Sequence, residues 1–287
     1  MPFYVYALIG SMSSGLFVIV AKLTSKHSIN NPWLFNFLLT TVTLIFTIPP
    51  AIYYHATIPS NWVIITLAAV FSTLFNIFYI FSNKSLDVSV YMPLFNFRGI
   101  FAVLIGMLFF GEKIITSNLI YIFLIIIGGI FSSLDEKFNI KSFFKNTIFI
   151  GILSTFFLAT YNAFTKQVMV GDSLWTTNLW IAIINFIMMI PTIALFKKEL
   201  KILDFAHIMP VGAMGILSTV TSFVSNTAYS INLGISSLIM NLPFSMIFAF
   251  LFSVFAPRLL EKHTLKIYAI RFTSTAVMIW AAMQLTR

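Results

Sequence analysis

The fold is decided by residues 61–110, NWVIITLAAVFSTLFNIFYIFSNKSLDVSVYMPLFNFRGIFAVLIGMLFF, in which two long apolar runs flank a short polar segment. Each run is long enough to cross a bilayer, since a transmembrane helix needs about 20 mostly apolar residues. The polar segment, from Asn83 to Asp87, leaves room only for a tight turn. The stretch therefore predicts two membrane-spanning helices, at 61–82 and 88–110, joined as a hairpin.

The same pattern of apolar runs and short polar separators extends over all 287 residues. It predicts eight further helices, at 3–24, 33–54, 115–134, 146–168, 174–196, 207–230, 235–256 and 266–285. The N-terminus has no basic segment and no small-residue cleavage site, so we expect the first run to be a retained helix and not a signal peptide. The predicted fold class is an all-α polytopic membrane protein with ten transmembrane helices.

The composition assigns most of the surface to lipid. Hydrophobic residues make up 59% of the chain and charged residues only 9%, whereas soluble domains carry about 25% charged residues. The net charge of +9 lies in the short loops between apolar runs, where cations act as topology signals and headgroup contacts and do not indicate nucleic-acid binding. The absence of Cys excludes disulfides and thiolate metal sites. Richness in Phe, Ile, Asn and Lys is typical of an AT-rich genome, and we expect a bacterial inner (cell) membrane.

An internal repeat divides the chain near its middle. Five residue pairs recur at offsets that drift only from 142 to 145 positions: Trp33 and Trp175, Asn36 and Asn178, Pro49 and Pro191, Lys22 and Lys166, Asn96 and Asn241. We predict two five-helix repeats, at 1–137 and 138–287. Because five is odd, the second repeat enters the membrane from the opposite side. Inverted repeats of this kind are the architecture of alternating access.

The segment NKSLDVSVY at 83–91, followed by an apolar helix ending in FFGEK at 109–113, resembles the EamA repeat of the drug/metabolite transporter superfamily. The second repeat lacks the Gly-Glu pair of the first. The resemblance implies two EamA-like repeats around a central cavity lined mainly by helices three, four, eight and nine. It implies transport of amino acids, other metabolites, nucleotide sugars or cationic drugs, and a homodimer contact through helices five and ten.

Arg98 is the most informative candidate residue, because it lies near the middle of the predicted fourth helix. A charge at that depth costs a few kcal/mol or more, so the side chain must face a protein interior or a wet cavity. A guanidinium offers paired donors to a carboxylate, which favours an anion clamp. The alternative is a structural arginine that donates to helix-end carbonyls.

Polar residues on neighbouring helices complete the candidate substrate site. They are Asn96, Asn241, Asn76, Tyr79, Thr221, Ser222 and Asn226. Asn96 and Asn241 occupy equivalent positions, so they either line both sides of one site or form hydrogen bonds between helices. We interpret Trp33 and Trp175 as interfacial anchors. Lys22, Lys166 and Arg271 are expected to extend to the membrane surface.

None of the eight acidic residues falls within a predicted span, and no hydrolase, metalloprotease or nucleotide-binding motif occurs. We therefore expect no enzyme and no cofactor. Proton-coupled carriers place a titratable group in the transport path, so the sequence favours facilitated diffusion or exchange. The predicted function is export or exchange of amino acids or related carboxylate-bearing solutes. A non-transporting scaffold and a drug or cation exporter are the alternatives.

The orientation in the membrane is predicted in opposite senses by two arguments. With the termini in the cytoplasm, the loops on the cytoplasmic side carry three Lys or Arg residues and the outer loops carry twelve. The positive-inside rule therefore favours termini outside. The family resemblance implies termini inside.

Overall fold

A computed structural model describes residues 2–98, 100–101, 104–105, 116–132, 143–231, 240, 242, 244–256 and 264–285. This part of the chain is helical, as predicted. Its α-helices are α1 Phe3–His27, α2 Pro32–Tyr53, α3 Trp62–Ser85, α4 Val88–Leu94, α5 Thr116–Ser132, α6 Asn146–Val168, α7 Leu174–Met189, α8 Phe205–Ile231, α9 Phe244–Phe255 and α10 Leu265–Leu285. Two short 3₁₀ helices, Ile190–Leu195 and Glu199–Ile202, connect α7 to α8.

Six helical segments of the described chain are long and apolar enough to cross a membrane. They are Phe3–His27, Pro32–Tyr53, Trp62–Ser85, Asn146–Val168, Leu174–Leu195 and His207–Ser225. Two shorter apolar helical segments are Leu119–Ser132 and Phe244–Phe255. The chain is therefore an integral, multi-pass membrane protein, in agreement with the prediction from composition.

Two predicted helices are interrupted, each beside a proline. The helix predicted at 88–110 breaks at Phe95 and Asn96, whose backbone N–H groups donate to the carbonyls three residues earlier, at 3.1 Å each. The helix predicted at 174–196 changes from α to 3₁₀ geometry after Met189. Pro191 explains the second departure, because proline has no N–H to donate and its ring crowds the preceding turn.

The two membrane faces can be assigned from contacts between loops. One face, which we call the lysine face, carries the α1–α2, α3–α4 and α7–α8 connections with Lys26, Lys84, Lys197, Lys198 and Lys201. Asn31 Nδ2 donates to Glu199 Oε1 across this face at 2.8 Å. The opposite face carries residues 54–61 and 169–173. There the Ser60 N–H donates to Asp172 Oδ1 at 2.9 Å, and the Thr57 N–H donates to the Thr176 hydroxyl at 3.0 Å.

Close helix packing holds the two halves of the chain together. Helix α3 packs on α6, α1 on α8, α2 on α7 and α5 on α10. Glycine permits the approach of α5 to α10 and a further one, of α8 to α2: a Cβ on Gly128 would lie 2.3 Å from Met278 Cγ, and one on Gly215 would lie 2.3 Å from Val42 Cγ1. Small residues at such contacts are typical of membrane helices, which gain mainly packing energy when they associate.

Candidate functional site

A cavity of about 520 Å³ lies between the helices of the two halves. Sites for small molecules typically measure about 300–1,000 Å³. The cavity wall is rich in Ser, Thr, Asn and aromatic side chains from α1, α2, α3, α6, α7 and α8, with further residues from 92–98, 240–246 and α10. The arrangement is that of an aqueous or substrate cavity inside a helical membrane protein.

The cavity reaches toward the opposite face and stops short of the lysine face. Its outermost lining residues are Thr47, near the end of α2, and Met169 and Trp175, beside the α6–α7 connection. Toward the lysine face its lining residues include Leu39, Tyr79 and Met92. Nearer that face Lys22, Ser82 and Asn83 are buried, so the described helix ends pack closely there.

Six of the eight predicted site residues line this one cavity: Arg98, Asn96, Asn76, Tyr79, Thr221 and Ser222. Asn241 lies outside the described residues. Asn226 belongs to α8, but its side chain lies outside the described part of the structure. The sequence-based choice of helices three, four and eight therefore selected residues that the tertiary structure brings together.

Arg98 follows directly after the helix break at Phe95 and Asn96. It is half-buried, and it is the charged residue among the described residues of the cavity wall. Arg98 also has an interaction partner within the protein. A guanidinium carries five N–H donors, so an internal contact leaves donors with which to bind an anion.

Asn96 has a local structural role. Only 8% of its surface is exposed, and its Nδ2 donates to the Pro93 carbonyl at 3.0 Å. This bond supports the turn at which α4 breaks, so it joins residues of one segment and does not link two helices. The same turn places the neighbouring Arg98 at the cavity wall.

Three buried hydroxyls on the cavity wall have unused hydrogen-bonding capacity. Tyr79 Oη, Thr165 Oγ1 and Thr221 Oγ1 have no hydrogen-bond partner among the described residues. Buried polar groups are rarely left unpaired in native structures, and each exception calls for an explanation. At the wall of a cavity, the explanation we favour is hydrogen bonding to the polar groups of a solute.

The sequence reasoning overlooked a polar stripe on α2 and a polar link between α3 and α7. Thr40, Thr43 and Thr47 all line the cavity, and their spacing of three and four residues is the period of one helix face. That period was the signal that could have found them. The link is formed by Asn185, whose Nδ2 donates to Ser72 Oγ and whose Oδ1 accepts from Thr73 Oγ1, both at 2.9 Å.

Trp175 and Asn178 also line the cavity. Trp175 lies at the start of α7, and its interpretation as an interfacial anchor stays a prediction. The Trp175 indole stacks on Tyr54 with ring centroids 4.5 Å apart and planes 2° apart. Its other neighbour is Phe223, at 6.3 Å. These rings form an aromatic rim where the cavity approaches the opposite face.

The model of the EamA-like transporter family matches residues 1–134. Residues 1–134 are therefore similar to that family. This match confirms the resemblance noted at residues 83–91 and 109–113. The family consists of membrane transporters of small solutes and is generally non-enzymatic.

No curated protein matches the chain significantly. Among solved structures, one described only as "Crystal structure of protein" is 14% identical, with a TM-score of 0.61. The alignment covers 98% of this chain and 96% of that chain. At this identity the likeness shows a shared fold and nothing about the solute.

Two cations of the chain do not reach the membrane surface, contrary to prediction. Lys22 is 3% exposed, and its Nζ donates to the Asn83 and Leu86 carbonyls at 2.9 and 2.6 Å. Arg271 is 2% exposed, and its Nη1 donates to Ser89 Oγ at 2.5 Å. Both find acceptors where α3 ends and α4 begins. Carbonyls at a helix C-terminus lack intrahelical donors and carry partial negative charge, so they compete well with lipid headgroups.

The described part of the cavity wall carries few charged side chains. Its described lining residues include no Asp, Glu, His or Lys. The Asp204–His207 contact lies at the start of α8, where Asp204 precedes the membrane-crossing segment His207–Ser225, and hydrogen bonds from His207 lower the pKa of Asp204. That contact stabilises a helix end and takes no part in the cavity.

Proposed function

We propose that this chain exports or exchanges amino acids or related small carboxylate-bearing solutes, with Arg98 binding the carboxylate. The observation that carries the proposal is a half-buried guanidinium on the wall of a hydroxyl-rich cavity of about 520 Å³, whose described lining residues are otherwise uncharged. Charge-assisted, paired hydrogen bonds to a carboxylate are among the strongest that a side chain can offer. A wall with this composition is suited to one anionic group and several neutral polar groups.

The same wall disfavours a drug or cation exporter. A cationic solute is stabilised by a buried carboxylate, and the described lining residues include no Asp or Glu. Arg98 would repel a cation in the same space. Phe17, Phe75 and Phe95 add apolar surface to the wall, which suits the hydrocarbon part of a solute whose carboxylate is bound by Arg98.

The proposed architecture is ten spans in two inverted repeats, 1–137 and 138–287. Helix packing supports it. If each helix is replaced by the one five places along the chain, the contact of α1 with α8 becomes that of α6 with α3, and the contact of α1 with α9 becomes that of α6 with α4. The same replacement leaves the α2–α7 and α5–α10 contacts unchanged, because the two helices of each pair only change places. Such exchange is expected of a pseudo-two-fold axis between repeats.

Alternating access is supported by the unequal surroundings of equivalent residues. Asn178 lines the cavity, whereas its repeat partner Asn36 is completely buried. Lys166 is exposed, whereas its partner Lys22 is buried. In an inverted repeat, this difference is what an open pathway at one face and a closed pathway at the other produce. In the state open to the other face, Asn36 and Lys22 would have the surroundings that Asn178 and Lys166 have here.

Exchange or facilitated diffusion is the proposed mode of transport, since no Asp, Glu, His or Lys lies among the described lining residues. A homodimer through α5 and α10 stays a prediction. Both helices present exposed apolar side chains, including Phe123 and Trp280. Location in a bacterial inner membrane likewise stays a prediction.

The test is counterflow of a panel of labelled amino acids and other small carboxylates in proteoliposomes. It compares the wild type with Arg98→Gln. Lys166→Gln is the matched control, because it also removes one positive charge but lies outside the cavity. Loss of one paired charge-assisted contact, about 1.5–3 kcal/mol, predicts at least a tenfold fall in apparent affinity for Arg98→Gln alone.

The outcomes separate the alternatives. Saturable exchange that is weakened in Arg98→Gln but not in Lys166→Gln supports the carrier and its anion clamp. Exchange that is unchanged in Arg98→Gln retains the carrier and makes Arg98 structural. Exchange of cationic solutes alone favours the drug or cation exporter, and no exchange of any solute favours the scaffold.

A further inference from the structure

The exposed lysines of the described chain are distributed very unequally between its two faces. Seven lie at helix ends on one side: Lys26, Lys84, Lys145, Lys197, Lys198, Lys201 and Lys266. On the opposite face, Lys166 is the exposed lysine among the described residues. The remaining described cations are Lys22 and Arg271, which are buried in helix contacts, and Arg98 at the cavity.

Loop contacts show that most of these lysines share one face. Lys26 and Lys84 are joined through the α1–α2 loop, because Lys84 Nζ donates to the Asn30 carbonyl. The neighbouring Asn31 binds Glu199, in the segment that carries Lys197, Lys198 and Lys201. Lys22 is buried and is not one of the seven exposed lysines. The excess of exposed lysines on this face therefore does not depend on it.

The side chains around the Lys197–Lys201 cluster suit the headgroup region of a bilayer. Leu195, the last residue of the first 3₁₀ helix, lies two residues before Lys197 and is 59% exposed, and Phe205 is 79% exposed at the start of α8. Apolar side chains beside lysines are typical of elements that lie at the membrane interface. Among the described residues this face carries three acids: Asp87 begins α4, Asn31 binds Glu199, and Asp204 contacts His207.

We infer that the lysine face is the cytoplasmic face and contacts the anionic inner leaflet, so that the cavity opens to the outside. Short loops rich in Lys and Arg are retained in the cytoplasm, and the excess of these residues sets the orientation of a polytopic protein. Anionic lipids of that leaflet attract basic segments close to the membrane. The start of α1 then lies outside, which is the reverse of the orientation implied by the family resemblance.

The orientation has a consequence for the cavity. The wall near Thr47, Met169 and Trp175 is the part closest to the opposite face, so solute from outside the cell has access to Arg98 in this state. The closed end, beyond Tyr79, faces the cytoplasm. This inference extends the proposed function and does not depend on it, because the test measures the position of loops and not transport.

The chain contains no Cys, so single cysteines can report the position of each face. Ser60→Cys marks the opposite face and Ser85→Cys marks the lysine face; both serines are exposed. Intact cells expressing each variant are treated with a membrane-impermeant maleimide, before and after permeabilisation. We expect Ser60→Cys to react in intact cells and Ser85→Cys to react only after permeabilisation.

A second variant tests the cause. Replacing Lys26, Lys84, Lys197, Lys198 and Lys201 by Gln in the Ser60→Cys background should reduce labelling in intact cells at least twofold. Lys166→Gln in the same background is the control and should leave labelling unchanged. The reverse labelling pattern, or equal labelling of both cysteines in intact cells, would overturn the assigned orientation. Unchanged labelling of the five-lysine variant would overturn the role given to the lysines.

Discussion

Lys22 offers the sharpest test of how the closed end of the cavity is held together. Its Nζ donates to the carbonyls of Asn83 and Leu86, at the C-terminal end of α3, and the side chain is 3% exposed. The contact joins α1 to the α3–α4 connection. Lys22→Met removes the two hydrogen bonds but keeps most of the volume of the side chain.

Three contributions determine the expected change in the free energy of unfolding: two destabilise the variant and one stabilises it. A buried carbonyl that loses its donor costs about 1–3 kcal/mol, and Lys22 supplies a donor to two of them. The attraction of a cation to a helix C-terminus contributes up to about 2 kcal/mol more. Methionine recovers several kcal/mol, since no charge then has to be removed from water. We expect a net loss of about 2 kcal/mol in the free energy of unfolding.

The assay is equilibrium unfolding in mixed micelles, monitored by fluorescence of the five tryptophans. Lys166→Met is the matched control, because it changes the repeat equivalent of Lys22, which is exposed. Surface substitutions usually stay within about 0.5 kcal/mol of wild type. If Lys22→Met were as stable as wild type, or if both variants lost the same amount, the reasoning about this buried contact would be wrong.

Three further predictions concern other parts of the molecule. Asn185→Leu breaks the link to Ser72 and Thr73 between α3 and α7, and we expect a loss of about 1–3 kcal/mol in the same unfolding assay; a neutral effect would contradict it. Gly128→Ala places a Cβ 2.3 Å from Met278 Cγ, so overpacking should cost about 1–3 kcal/mol, and Met278→Ala in the same chain should restore part of the loss. Counterflow should change less than twofold between about pH 5.5 and 8, where Asp and Glu ordinarily stay ionised and only His titrates, since the described cavity wall holds no Asp, Glu, His or Lys; a bell-shaped profile would point to a titrating group.

The candidate site was partly predictable because polarity inside an apolar span is informative by itself. Arg98, Asn76 and Thr221 stand out in their helices, and all three line the cavity. The threonines of α2 were missed because Thr is common in membrane helices and satisfies itself within its own helix. Thr40 Oγ1, for example, donates to the Asn36 carbonyl at 2.8 Å. Such residues indicate a cavity wall only when several of them lie on the same face of a helix.

Sequence by itself determined that the protein is helical and crosses a membrane, because the length and apolarity of each run are local properties that the bilayer selects directly. The sequence also predicts a repeat at an offset near 142 residues. Tertiary structure decided the difference between Lys22 and Lys166, which the sequence presents as equivalents. One is buried against the end of α3 and the other is exposed, because the surroundings of a side chain depend on which helices close around it.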